Sequence, residues 1–122
     1  MTHTQLDISL KRAYEPPAKT DGLRILVERL WPRGLTKEKA AIDHWVKDLA
    51  PSPALRSWYG HQPERWPDFQ RRYGEELAGQ QAALSELKAL CHGRQVTFVF
   101  AAKDEARNSA LVLRRVLMGE PQ

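Results

Sequence analysis

A chain of 122 residues has the size of one domain with a modest core, and its 42% hydrophobic and 28% charged residues exclude wholesale disorder. No apolar run reaches the roughly 18 residues of a membrane span, residues 1–9 lack the basic-then-apolar order of a secretory signal, and a single cysteine cannot form an internal disulfide, so a cytoplasmic domain is expected. The formal charge of +4 is too small to mark a nucleic-acid protein by itself, but residues 1–40 carry 8 basic and 5 acidic groups, residues 41–92 carry 6 and 7, and residues 93–122 carry 5 and 3. The excess is either ordinary solvated surface or one electropositive site built where the two ends of the chain meet.

In chain order, residues 8–14 alternate loosely and predict a short strand, stopped by Pro16-Pro17 and a turn through Asp21-Gly22. The stretch from Leu23 to Trp31 begins apolar on both faces, as in a strand covered on both sides, and Pro32 and Gly34 end it. Thr36 is placed to cap a helix, with Glu38 in its first turn and Ile42, Trp45, Val46 and Leu49 as its apolar stripe, closed by Ala50-Pro51. Ser52-Pro53 repeats the start signal for a short helix through Leu55, Trp58 and Tyr59 to Gly60. Pro63 opens a longer one with Trp66, Phe69, Tyr73 and Leu77, then Leu84, Leu87 and Cys91, on nearly one face. Gly79 predicts a bend or break within it, and Gly93 a C-terminal cap. Residues 95–102 include Val96-Thr97-Phe98-Val99-Phe100, a short aromatic and β-branched run that predicts a central strand of a parallel sheet. Asp104 is the expected cap of a last helix with Ala106, Ala110, Leu113 and Leu117 as its stripe.

Together these elements predict a single α/β domain over residues 1–122: a small, mainly parallel sheet of about three strands flanked by about four helices. Ligands of such sheets bind beyond the carboxyl ends of the strands. Two charged clusters fall there, Glu28 to Gly34 and Lys103 to Glu105.

The string Val27-Glu28-Arg29-Leu30-Trp31-Pro32-Arg33-Gly34-Leu35-Thr36-Lys37-Glu38 resembles the YeaO-like bacterial proteins, a domain-of-unknown-function family. So do Leu49-Ala50-Pro51-Ser52, Leu55-Arg56-Ser57-Trp58, Pro63-Glu64-Arg65-Trp66 with Phe69 and Tyr73, and Ala102-Lys103-Asp104-Glu105 with Asn108. The resemblance covers nearly the whole chain. It implies a small cytoplasmic bacterial protein and carries no settled activity, cofactor or substrate. Two positions depart from the family pattern: the acid at Glu28 is usually the shorter Asp, and histidines are common around Asn108, where this chain has Arg107 and Ser109.

Guanidinium groups hold phosphate or carboxylate through paired hydrogen bonds and an indole stacks on rings, so Arg29, Trp31 and Arg33, joined by Arg12 and Lys103, are candidate ligand-binding residues. The alternative is that Trp31 is core and the arginines pair with Glu28, Asp104 or Glu105. Asp104 and Asn108, at the start of the last helix, join the candidate set because a helix N-terminus helps to hold an anion. Glu28 is the candidate general acid or base, with a structural ion pair as its alternative. No nucleophile accompanies it, since Ser52, Ser57 and Ser109 lie in capping or helical contexts. His44 and Asp48 are too few to bind a metal, so no metal site is expected. Cys91 fits an inert core position. The expected function is binding of a small anionic ligand: phosphate, a nucleotide or a phosphorylated metabolite. An enzyme using Glu28 in the same cleft, and a nucleic-acid or protein interaction domain using the basic helix faces of Arg65, Arg71, Arg72, Arg114 and Arg115, are the alternatives. No cofactor is identifiable.

Overall fold

The computed structural model describes residues 6–119; Met1–Gln5, within the segment read for a secretory signal, lie outside them. Four strands, β1 (Asp7–Arg12), β2 (Leu23–Leu26), β3 (His44–Trp45) and β4 (Gln95–Phe100), form one sheet in the order β1-β4-β2-β3. Every pairing is parallel, so all carboxyl ends lie along one edge. The count is four strands rather than about three. β4 lies between β1 and β2, and its residues Val96 to Phe100 are all buried, as its unbroken apolar run requires.

The helices are α1 (Lys37–Ala40), α2 (Pro53–Tyr59), α3 (Trp66–Ala78), α4 (Gln81–Cys91) and α5 (Ser109–Leu117). Because strand side chains alternate between faces, Ile8, Ile25, Val27, Val96, Phe98 and Phe100 point into one core with Leu55, Phe69, Tyr73, Leu77, Leu87 and Leu113 from the helices. The opposite face carries a smaller cluster of Ala13, Leu26 and Val99, covered by Trp31, Leu35 and Ile42.

Several local expectations hold. Ser52 caps α2 by accepting from the Leu55 N–H, with Pro53 at its first position and Gly60 ending it at φ 54°. The long helical stretch breaks at Gly79, between α3 and α4. Cys91 is wholly buried, and desolvation pushes its thiol up to about 11, so it is inert at neutral pH.

The stretch from Ile42 to Leu49 does not form a helix. Thr36 does cap α1, accepting from the Lys39 N–H, but α1 lasts one turn and stops at Ala41 in the left-handed conformation, φ 50°. The chain then extends as β3. The Asp43 N–H donates to the Arg24 carbonyl (2.8 Å) and the Val46 N–H to that of Leu26 (2.9 Å). Pairing the otherwise open edge of β2 satisfies backbone groups on both segments at once, which outweighs a helical apolar spacing. Trp45 is consequently 36% exposed, its ring edge-on to Trp31 and its Nε1–H donating to the Glu28 carbonyl.

A buried polar network anchors the smaller face. Arg24, 4% exposed, donates to Asp21 Oδ2 (2.7 Å) and to the carbonyls of Ala40 and Ala41 that end α1. Lys11 donates to the same carboxylate, and Thr97 from β4 donates to the Asp21 carbonyl. Gly22 follows at φ 65°, and a Cβ there would lie 2.2 Å from the Gln95 carbonyl oxygen; only glycine fits this turn.

Candidate functional site

Beyond the ends of β2 and β4 the chain opens into a cleft of ≈ 440 Å³. Its floor is Glu28 and Arg29 after β2 and Ala101 and Ala102 after β4; one wall is Pro53, Arg56 and Ser57 of α2; Arg107, Asn108 and Ser109 at the start of α5 form the other, with His61, Tyr59 and Phe69 completing it. The parallel register creates this place, since β2 and β4 leave the sheet side by side and the Val27 N–H still donates to the Val99 carbonyl (3.2 Å) just before Glu28.

Arg29 holds one wall to the floor. Its guanidinium donates to the carbonyls of Ala50 (3.2 Å) and Pro51 (3.4 Å), the two residues that lead into the Ser52 cap. Glu76 of α3 accepts from the Ser52 N–H and hydroxyl and fixes the same joint from the other side. The other wall is shaped by a turn. Asp104 Oδ1 accepts from the N–H groups of Ala106 and Arg107, while Oδ2 accepts from the Arg107 guanidinium (2.9 Å). Burial alone would raise this carboxyl, but those bonds and the Arg107 charge hold it below its usual value. The cap of α5 is therefore not Asp104 but Asn108. Its Oδ1 accepts from the Leu111 N–H (2.9 Å), and its Nδ2 donates back to the carbonyls of Asp104 and Glu105. Asp104 closes a tight turn over residues 104–107, and Ala106 falls outside the helix for the same reason.

Glu28 is half-buried in the floor. Burial pushes its carboxyl above the ordinary value; the charges of Arg56 and His61 and hydrogen bonds from the Ala101 N–H and the Ser109 hydroxyl pull back only in part. Among the described residues no cation stands within 4.0 Å of it, so the structural ion pair weighed for Glu28 does not form. The lining thus holds three arginines, Arg29, Arg56 and Arg107, and a single carboxylate, and among the described residues only Arg107 of the three is in an ion pair.

Of the residues singled out in the sequence, Glu28, Arg29 and Asn108 line the cleft. Arg12 lies behind its floor, donating to the carbonyls of Ala101 and Ala102. Trp31 covers the smaller core on the other face, its Nε1–H donating to the Leu35 carbonyl, so the cleft has no Trp31 in its lining. Arg33 is exposed, and its carbonyl accepts from Tyr14. Lys103 is exposed and Asp104 supports the turn; neither lines the cleft. Arg56, His61 and Arg107 are lining residues that motif reading passed over, and Ser57 and Ser109 are lining residues that it weighed only as nucleophiles and set aside. Helical periodicity marks Arg56 and Ser57 only as a polar face, and nothing local says that this face looks onto the sheet edge.

A family model described as "Inactive DUF488-N3 subclade" matches residues 7–122. The chain is 46% identical over 112 residues to the uncharacterized proteins Rv3073c of Mycobacterium tuberculosis and Mb3100c of Mycobacterium bovis, covering 92% of this chain and 94% of each relative. It is 37% identical over 108 residues to the uncharacterized protein YeaO of Escherichia coli, covering 88% and 94%; the resemblance read from the sequence is borne out. No solved structure matches it. Among the described residues, no helix is long and apolar enough to cross a membrane.

Proposed function

We propose that this chain, which belongs to the inactive DUF488-N3 subclade, is a cytoplasmic binding domain that takes a small anionic ligand (phosphate, a nucleotide or a phosphorylated metabolite) in the cleft at the carboxyl ends of β2 and β4. The observation that carries this reading is the presence of Arg29, Arg56 and Arg107 together in the lining of a concave site whose lining holds one carboxylate. Guanidinium groups bind oxyanions through charge-assisted, paired hydrogen bonds. The cleft has the volume of sites that enclose whole metabolites, about 300–1,000 Å³. The start of α5 adds the positive end of its dipole from the same wall.

Each of the three arginines has a distinct part. Arg56 is exposed on α2 and is in no ion pair among the described residues, so its charge is available to a ligand. Arg107 is held by Asp104 and presents a fixed edge. Arg29 sets the distance between floor and wall. The word "inactive" in the family's description supports binding without turnover. Catalysis with Glu28 as general acid or base is a second reading, favoured by the burial that raises its carboxyl; it requires a turnover that Glu28→Gln abolishes.

The binding reading is tested by titrating inorganic phosphate and a nucleoside monophosphate while following the melting temperature and the heat of binding. Arg56→Ala and Arg107→Ala each weaken binding about tenfold, the worth of one charge-assisted hydrogen bond, and Arg33→Ala leaves it unchanged. If neither anion binds at millimolar concentration, the reading fails.

A further inference from the structure

We propose, building on the anion-binding reading, that the cleft takes a phosphomonoester whose carbon skeleton carries free hydroxyl groups, a sugar or polyol phosphate, with the phosphoryl group at Arg56 and Arg107 and a hydroxyl donating to Glu28.

The argument starts from an acceptor that lacks donors. An ionised carboxylate offers about four lone-pair positions, and a partly desolvated one is costly unless they are used. The Ser109 hydroxyl donates to Glu28 at 3.5 Å, and the nearby Ala101 N–H favours its ionised form. Glu28 lines the cleft, where a ligand can supply further donors. A carboxylate in this position repels a bare anion. It attracts a ligand that brings a hydrogen-bond donor along with its negative charge.

The second part of the argument is arrangement. The cationic groups Arg56 and Arg107 hang from α2 and from the turn before α5, on the two walls, while Glu28 sits on the floor beyond β2. The site is therefore bipolar. An ionised phosphomonoester without hydroxyl groups uses the walls and leaves the floor unsatisfied, whereas a hydroxylated one uses both. The surfaces of Pro51, Pro53, Ala101 and Ala102 between them suit the carbon face of a short polyol.

The test compares glycerol 3-phosphate with propyl phosphate, which share charge and carbon skeleton and differ only in hydroxyl groups, beside inorganic phosphate. Calorimetric titration at about pH 8 keeps carboxyl groups ionised. Glycerol 3-phosphate binds the native chain about tenfold more tightly than propyl phosphate, the discrimination expected of one hydroxyl donating to a carboxylate. Glu28→Ala removes the preference, and Glu28→Gln, which keeps one carbonyl acceptor, retains part of it. The melting curve of each variant shows that it is folded. Equal affinity for the two esters in the native chain, or a preference that survives Glu28→Ala, overturns the assignment and leaves anion binding standing. Failure of all three compounds to bind overturns both.

Discussion

Glu28 and Ser109, 81 positions apart in the chain, meet across the cleft with Oγ and Oε2 at 3.5 Å. One follows the end of β2 and the other is the first residue of α5, so this contact joins the sheet edge to the helix that covers it. Burial is the dominant influence on the Glu28 carboxyl, outweighing the Arg56 charge and the Ala101 and Ser109 donors, and raises it above its ordinary value of 4.5.

A carboxyl raised in the folded state holds its proton more tightly than in the unfolded chain. Its ionisation therefore removes stability as pH climbs from the ordinary value of 4.5 through the raised one. Glu28→Gln, which does not titrate, gains on the native chain over that window. Urea midpoints of both proteins at about pH 4 and about pH 7.5 check this: the advantage of the variant is larger at the higher pH. An advantage that is constant or shrinks with rising pH contradicts the account.

Asp21 carries the opposite sign. Desolvation would raise its carboxyl, but the Ala18 N–H, Lys11 and Arg24 outweigh that and hold it below 3.8. Its stabilisation is complete above that ordinary value and is lost as pH falls through the lowered one. Asp21→Asn leaves the Arg24 guanidinium, 4% exposed, without its counter-charge and costs about 3–5 kcal/mol at neutral pH. The deficit narrows only in strong acid. Denaturant unfolding across pH measures both.

Asn108→Ala removes the cap of α5 and the two donors that tie it to the Asp104 and Glu105 carbonyls. At a site 3% exposed the loss is about 1–2 kcal/mol for the cap alone, with more for the abandoned carbonyls. Asn108→Asp keeps the capping oxygen and loses the amide donors, so its unfolding midpoint falls between those of the native chain and the alanine variant. Equal midpoints for the two variants show that the cap contributes nothing beyond the donors.

Where an element carried its own punctuation, it was legible in the residues. Ser52-Pro53, Gly60, the break at Gly79 and the apolar run of β4 all fall where capping rules and side-chain periodicity place them. The stretch from Ile42 to Leu49 misled because its apolar spacing suits a helix, while its backbone is recruited by β2, about twenty residues earlier in the chain. Trp31 misled in a related way: beside two arginines it reads as a binding face, yet it covers Leu26 and Val99 on the far side of the sheet. In the cleft, Glu28, Arg29 and Asn108 were visible as charges and amides at element ends. Arg56, His61 and Ser109 became part of it only when α2 and α5 came together over the strand ends.

The residues alone determined an α/β domain, its buried parallel strand and the charged clusters after the ends of β2 and β4, because periodicity and capping act within a few residues of chain. Tertiary structure decided the sheet order, the edge strand and the walls of the cleft. Those depend on which distant backbone groups remain unpaired and which side chains packing brings to the strand ends, and neither property is written in any local stretch.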